Sequence, residues 1–263
     1  MTPLPRMPRL EVLFTPADFR ELAHRDLSGS TCVVFDVLRA TSTMLRALSE
    51  GAAGIRPAST IEEALALRRL HPAALLAGER DGYRIRAEQT GGTDFDLGNS
   101  PREFTAERVA GREIVMTTTN GTRALRAAAS ARTVWIGSMT NLSAMAGRLL
   151  AETPEDLLLV CSGTHENASF EDTFAAGALV DRLWSRYGVG NGGQPDDSAQ
   201  MARDVHLRHA SEGLEVARHA RNGRRISDDP QLSGDLPWCL VADRCPILGR
   251  LDPDGVIRRA SAS

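Results

Sequence analysis

The chain has 263 residues, with 31 basic and 34 acidic side chains for a net charge of −3, and 42% of its residues are hydrophobic. That length supports a real core, as one large domain or two small ones, and the charge excludes a global basic field of the kind that holds nucleic acid. The four cysteines, Cys32, Cys161, Cys239 and Cys245, form no CxxC pair and no zinc-ribbon spacing. The opening MTPLPRMPRLEVLF lacks a secretory h-region, and no run reaches the roughly 18 apolar residues of a membrane span. A cytoplasmic, reducing setting without membrane association is expected, so the sequons at Asn141 and Asn167 carry little meaning.

In chain order, TCVVFDVL (31–38) is apolar and β-branched, which predicts a buried strand. TSTMLRALSEGA predicts a helix, with Thr41 to Thr43 as cap candidates and Gly51 as its stop. GIRPA is a short strand. Thr60 and Glu63 have capping-box spacing before the helical IEEALALRRL. AALLAG and GREIVMTTT are strands, the second followed by a helix from about Thr122. RTVWIG (132–137) and DLLLVCSG (156–163) are strands on either side of the helical NLSAMAGRLLAE. ASFEDTFAAGALVDRLW is a helix with Ser169 and Asp172 at capping-box spacing.

YGVGNGGQPDDSAQ (187–200) is a surface loop, with Asp197 and Gln200 as cap candidates for the helix beyond. ARHARNGRRISDD reads as a solvated basic surface. WCLVADRCPILGRLDPDGVIRR is extended, with a DPDG turn before a final strand.

Alternating strands and helices predict an α/β protein with a mostly parallel or mixed sheet. TCVVFDVLRATSTMLRAL and DLLLVCSGTHENASFEDTFAAG share a strand, polar loop, helix layout. They fit either two similar halves, 1–130 and 131–263, or a generic βα unit within one compact body.

Ligands of open α/β sheets bind beyond the carboxyl ends of strands. Asp36 and Arg39 follow the first strand, as a carboxylate for a cation or proton and a planar fork for an anion; a plain ion pair or helix cap is the alternative. Glu79 and Arg80 follow the next candidate, in GERDG, where an exposed turn is the alternative. GGTDFDLGNSPREF supplies Asp94, Asp96 and Asn99, oxygen donors suited to a hard cation but without EF-hand spacing, and Ser100-Pro101 opens a helix there. In MTTTNGTRAL, Thr118 to Gly121 form a strand-to-helix turn with hydroxyls and free N–H groups, an anion cradle or a cap, with no Walker lysine. Glu171 and Asp172 sit in the first turn of a helix, where acid also stabilises the helix. Cys161 and His165 could pair as thiolate and base only if adjacent in space, and His206 and His209 read as surface or packing histidines. Carboxylates beside anion-binding turns are what phosphate transfer to water needs, although DxDxT is absent after Asp36.

The runs VVFDVLRATST, LLAGERDG, FDLGNSP, TTTNGTRAL and CSGTHENASFEDTFAAG, in this order, resemble the 2-phosphosulfolactate phosphatase (ComB-like) family, over roughly residues 10 to 258. The resemblance implies a magnesium-dependent phosphomonoester hydrolase. Its reaction would take (2R)-2-phospho-3-sulfolactate and water to 3-sulfolactate and phosphate, which in methanogens is a step of coenzyme M biosynthesis. It also implies an α/β/α fold with two similar halves.

Carried over motif by motif, the resemblance puts Asp36, Glu79 and Asp172 in the catalytic set. It gives Arg39, Asp96, Asn99, Thr118, Thr119, Asn120 and Gly121 to the substrate, and Asp36, Glu171 and Asp172 to Mg2+. GTHENASF, with His165, Glu166 and Asn167, departs from the family's more glycine-rich stretch and bears on substrate choice. Another small phosphorylated hydroxyacid as substrate, or a non-catalytic anion-binding role, are the alternatives. The apolar AGALVDRLW is open to burial within the subunit or in a homodimer.

Overall fold

The computed structural model describes residues 8–187 and 195–260, so 188–194, half of the loop expected at 187–200, lie outside the described residues. Ten strands among them form one sheet. They are β1 Arg9–Leu13, β2 Ser30–Phe35, β3 Gly54–Ala58, β4 Leu75–Arg80, β5 Tyr83–Arg84, β6 Glu113–Thr117, β7 Thr133–Gly137, β8 Asp156–Cys161, β9 Gly249–Leu251 and β10 Ile257–Arg259. Their order is β1-β8-β2-β7-β9-β10-β3-β6-β4-β5. Strands from before and after residue 130 therefore interleave, as β8 does between β1 and β2.

Two parallel blocks, β1-β8-β2-β7 and β3-β6-β4, are joined by the antiparallel β9–β10 hairpin. β7 pairs antiparallel with β9, and β10 antiparallel with β3, so the blocks run in opposite senses. A flat sheet would send the ends of β2 and β6 to opposite edges. They meet in one pocket, so the sheet curls.

Period-two alternation builds the first block's two faces. Val33, Phe35, Trp135, Leu157 and Leu159 join the core under the helices Leu142–Glu152 and Phe170–Tyr187. Cys32, Val34, Val134, Ile136, Leu158 and Val160 join the core with the helices Ala40–Ser49 and Gly121–Ala127, which also takes in Ile114 and Met116 of β6. Helices on both faces make the expected three layers. Ala58, Leu76, Val115 and Phe95 form a smaller cluster with the helix Ile61–Leu70.

The helix containing AGALVDRLW buries Ala176, Ala178, Leu179, Val180 and Leu183 within the subunit. Gly177 permits this: a Cβ there would stand 1.9 Å from the Ala202 carbonyl of the helix Asp197–His209.

Several local expectations need correction. Arg39 caps the helix Ala40–Ser49 without any Thr41 to Thr43 side-chain cap, because those hydroxyls bind loop backbone. At Thr60 and Ser169 the hydroxyls cap as expected, but Glu63 accepts from Ser59 N–H and Asp172 turns to other partners. Asp196, not Asp197, caps the helix Asp197–His209. Pro101–Glu103 is a single 3-10 turn, and the start of the stretch expected to be extended, Trp238 to Leu240, belongs to the short helix Leu236–Leu240. The β1 strand was not expected, because its alternation is short and flanked by charge.

Candidate active site

The turns after β2, β4, β6 and β8 line one pocket of about 240 Å3. Its walls include Asp36, Arg39, Glu79, Asn99, Thr118, Thr119 and Asn120 from the sequence expectation, together with Asp81, Thr164 and His165. Arg221, Asn222 and Arg225 close it from the helix Arg221–Asp228, which sequence reasoning assigned to a solvated surface. Asp96 is not among the lining residues; it is exposed and accepts from the Leu76 N–H. That volume suits a small, multiply charged acid better than a nucleotide. A wider cavity, about 780 Å3, opens at the start of β1, β2 and β8. Its arginines are already paired, Arg9 with Asp156 and Arg25 with Glu11.

The DVLRAT turn is built by its own hydroxyls. Thr41 Oγ1 donates to the Asp36 carbonyl (2.9 Å) and accepts from the Asp36 N–H (3.1 Å). The Ala40 N–H donates to Asp36 Oδ1 at 3.2 Å. Asp36 Oδ2 faces Gly121, where a Cβ would come within 2.6 Å of it, so only glycine lets the two turns approach this closely.

The β6 turn is less open to an anion than its composition suggests. Thr119 N–H and Oγ1 both donate to Glu79 Oε1, at 3.0 and 3.1 Å, while Gly82 N–H donates to Glu79 Oε2. Unpartnered buried oxygens remain at Thr118 Oγ1, Asn120 Oδ1 and Asn99 Oδ1, all from pocket-lining residues. Arg39 is 3% exposed; its Nη1 donates to Asp235 (2.6 Å) and its Nη2 to the Gly82 carbonyl (2.5 Å). Asp235, fully buried, also accepts from Ser100 Oγ and Arg102 Nε. Three N–H groups of the Arg39 fork are left for other acceptors.

Asp172 ties the loops of β2 and β8 together, accepting from Val37 N–H (2.8 Å) and Ser162 Oγ (3.1 Å). Glu171 accepts from Asn222 Nδ2, which also donates to Thr164 Oγ1, so the acid pair reaches the pocket wall through Asn222. His165 sits at φ 54° in a tight turn closed by Thr164 and Asn167 and pinned by Glu166 to Arg20 and Arg123. This turn is the GTHENASF departure, and it aims at the pocket. Cys161 is buried in the core, and burial pushes its thiol well above its ordinary value, which argues against a thiolate nucleophile.

Burial raises the Asp36 carboxyl to about 7, with repulsion from Glu79 and Glu171 adding to it. Burial, then the charges of Glu171 and Asp36, push Asp172 well above the carboxylate range, and burial raises Glu171. An all-oxygen set of crowded, desolvated carboxylates and orphaned acceptors has the chemistry of a hard cation site. Asp36, Glu171 and Asp172 do not, as a trio, bring oxygens mutually within 4.8 Å; among the described residues only a histidine-containing trio reaches that spacing. These residues could offer a hard cation one or two carboxylates rather than a closed cage of three.

The same burial, with the repulsion added to it, sets a pH dependence for metal-free protein. A carboxyl raised on folding gives stability that is present below its unfolded value and lost as pH rises through about 7. Burial lowers His206 and works in the opposite direction. The quantity to measure is therefore the difference in thermal midpoint between wild type and Asp36→Asn, in EDTA, from pH 5 to pH 8. The variant is expected to gain on wild type as pH rises from 5 towards 7 and to level off above that. A constant difference would contradict the shift.

The fold and pocket thus define an α/β protein with carboxylates and arginines lining one pocket beyond its strand ends, the place where open α/β sheets take small ligands. A family model for 2-phosphosulpholactate phosphatase matches residues 17–253, and the chain belongs to that family of phosphoric monoester hydrolases. It is 34% identical over 248 residues to a probable 2-phosphosulfolactate phosphatase of Caldanaerobacter subterraneus subsp. tengcongensis, covering 94% of this chain and 97% of the relative. Proteins of the same name from Symbiobacterium thermophilum and Thermotoga maritima are 38% and 41% identical, with 85% and 81% of this chain covered and 91% and 85% of theirs. No helix among the described residues is long and apolar enough to cross a membrane.

Proposed function

We propose that this protein hydrolyses 2-phospho-3-sulfolactate to 3-sulfolactate and phosphate with Mg2+. The observation that carries the reading is one small pocket in which Asp36 and Glu79 face Arg39, Arg221, Arg225 and His165. A substrate with a phosphate, a sulfonate and a carboxylate needs cationic donors on several sides, and a phosphate attacked by water needs a charge-neutralising centre on one side. The relatives' names support the same substrate.

Asp36, with Asp172 and Glu171 behind it, would hold Mg2+; when bound, the ion neutralises phosphate oxygens and lowers the pKa of a water. Arg39, fixed by Asp235, presents its remaining N–H groups without reorganisation. Thr118 Oγ1 and the Asn120 amide add neutral partners beside it, while Glu79 holds the Thr119 turn in shape. Arg221 and Arg225 supply the second cationic wall, where planar forks match a sulfonate or carboxylate.

The test is phosphate release by purified protein, with Mg2+ or EDTA, from 2-phospho-3-sulfolactate and from 2-phospholactate. Release is expected only with Mg2+, with kcat/KM at least about tenfold higher for the sulfonated substrate, since one charge-assisted hydrogen bond contributes roughly 1.5–3 kcal/mol. Equal turnover of both would remove the sulfonate claim. No release from either would remove the phosphatase reading.

A further inference from the structure

Away from the pocket, three side chains of ligand chemistry gather where the helix Asp197–His209 ends. Gly213, at φ 59° and ψ −130°, reverses the chain inside the segment Ala210–His219 and returns His219 toward the helix end. His209 Nδ1 lies 2.6 Å from Glu212 Oε1, and His219 Nε2 lies 2.8 Å from Glu212 Oε2. One ligand atom from each of the three lies within 4.8 Å of the other two. The imidazole centroids are 4.3 Å apart, and the Phe170 ring packs 5.4 Å from each. The His209 side chain is 14% exposed and that of His219 42%, so the cluster has an apolar wall and a solvent entry.

Two neutral imidazoles each donating an N–H to Glu212 would satisfy the same distances. The arrangement nonetheless aims two imidazole nitrogens and a carboxylate at one point, and a cation replacing the two protons would find its ligands in place.

We propose that His209, Glu212 and His219 form a second cation site, selective for a borderline divalent ion of the zinc class rather than for Mg2+. Two imidazoles and one carboxylate match Zn2+, Ni2+ or Cu2+ by ligand type, whereas hard cations prefer oxygen alone. The site lies beside functional elements without being part of them. Phe170 precedes the Glu171–Asp172 pair, and His219 is followed by the helix that carries Arg221, Asn222 and Arg225. A bound ion clamps that helix to the end of the helix Asp197–His209.

The experiment is equilibrium dialysis of untagged protein against Zn2+ in excess Mg2+, with metal content measured by mass spectrometry. Wild type and Asp36→Asn are both expected to retain about one equivalent, and Zn2+ is expected to raise their thermal midpoints by mass action. His219→Ala and Glu212→Gln, with metal-free midpoints checked against wild type, are expected to bind at least about tenfold more weakly. Co2+ in place of Zn2+ should give visible d–d absorption in wild type that His219→Ala loses, a signature independent of folding stability. No retained zinc in wild type, or equal retention in both cluster variants, would overturn the proposal.

Discussion

Asp36→Asn is expected to fold, to be more stable than wild type in EDTA at pH 8, and to lose phosphatase activity by about a thousandfold. The side chain keeps its volume, and Oδ1 still accepts from Ala40 N–H, so the DVLRAT turn survives. What disappears is a desolvated charge placed against Glu79 and Glu171. Its removal relieves the folded state and leaves the pocket without the carboxylate best placed for Mg2+, so stability and activity should move in opposite directions. Phosphate-release kinetics and melting curves on the same preparation decide the matter. An active Asp36→Asn would move the ion and the reaction to other carboxylates, and an unfolded one would make Asp36 a structural residue.

Asp235→Ala should be among the most destabilising single changes in the chain, costing about 3–5 kcal/mol. Asp235 has no exposed surface and receives Arg39 Nη1, Ser100 Oγ and Arg102 Nε. Truncation leaves the Arg39 guanidinium, 3% exposed, with the Gly82 carbonyl as its other recorded partner. An uncompensated buried charge costs more than the pair itself contributes. Urea titration should show a lower midpoint at an unchanged m-value, and the melting temperature should fall by roughly 10 °C. Arg102→Ala, with its side chain 42% exposed, removes one donor while leaving Arg39 paired, and should cost much less. Equal losses for the two variants would rule out the unpaired charge as the cause.

How legible each part was depended on whether its cause is local. The strand at 31–38 and its DVLRAT turn could be read because β-branched burial and a hydroxyl five residues after Asp36 act within one stretch of chain. The pocket's carboxylate side followed from strand ends alone. Its cationic side did not: ARHARNGRRISDD has the composition of a solvated surface, and only the packing of its helix over the β8 loop sends Arg221 and Arg225 inward. Asp235, within the short LSGDLPW, gave no signal, since its role depends on partners 196, 135 and 133 residues away. Thr119 carried the right chemistry for a donor, but its acceptor is Glu79, a choice made by the register of β4 beside β6. The sequence alternation allowed a mostly parallel or a mixed sheet, and the reversal between blocks that makes it mixed appears only once the hairpin is placed.

That hairpin has a consequence for how the molecule assembles. β9 and β10 follow every other strand of the described chain, yet they lie in the middle of the sheet, between β7 and β3. Until they dock, each parallel block presents a bare edge, β7 on one side and β3 on the other, and such edges invite association with other chains. Pairings as distant as Arg9 with Asp156 are of the non-local kind that slows folding in general. Pulse-labelled hydrogen exchange during refolding should find the amides of Ile257 to Arg259 protected last, and aggregation confined to the interval before they are; early protection there would show that the seam closes first.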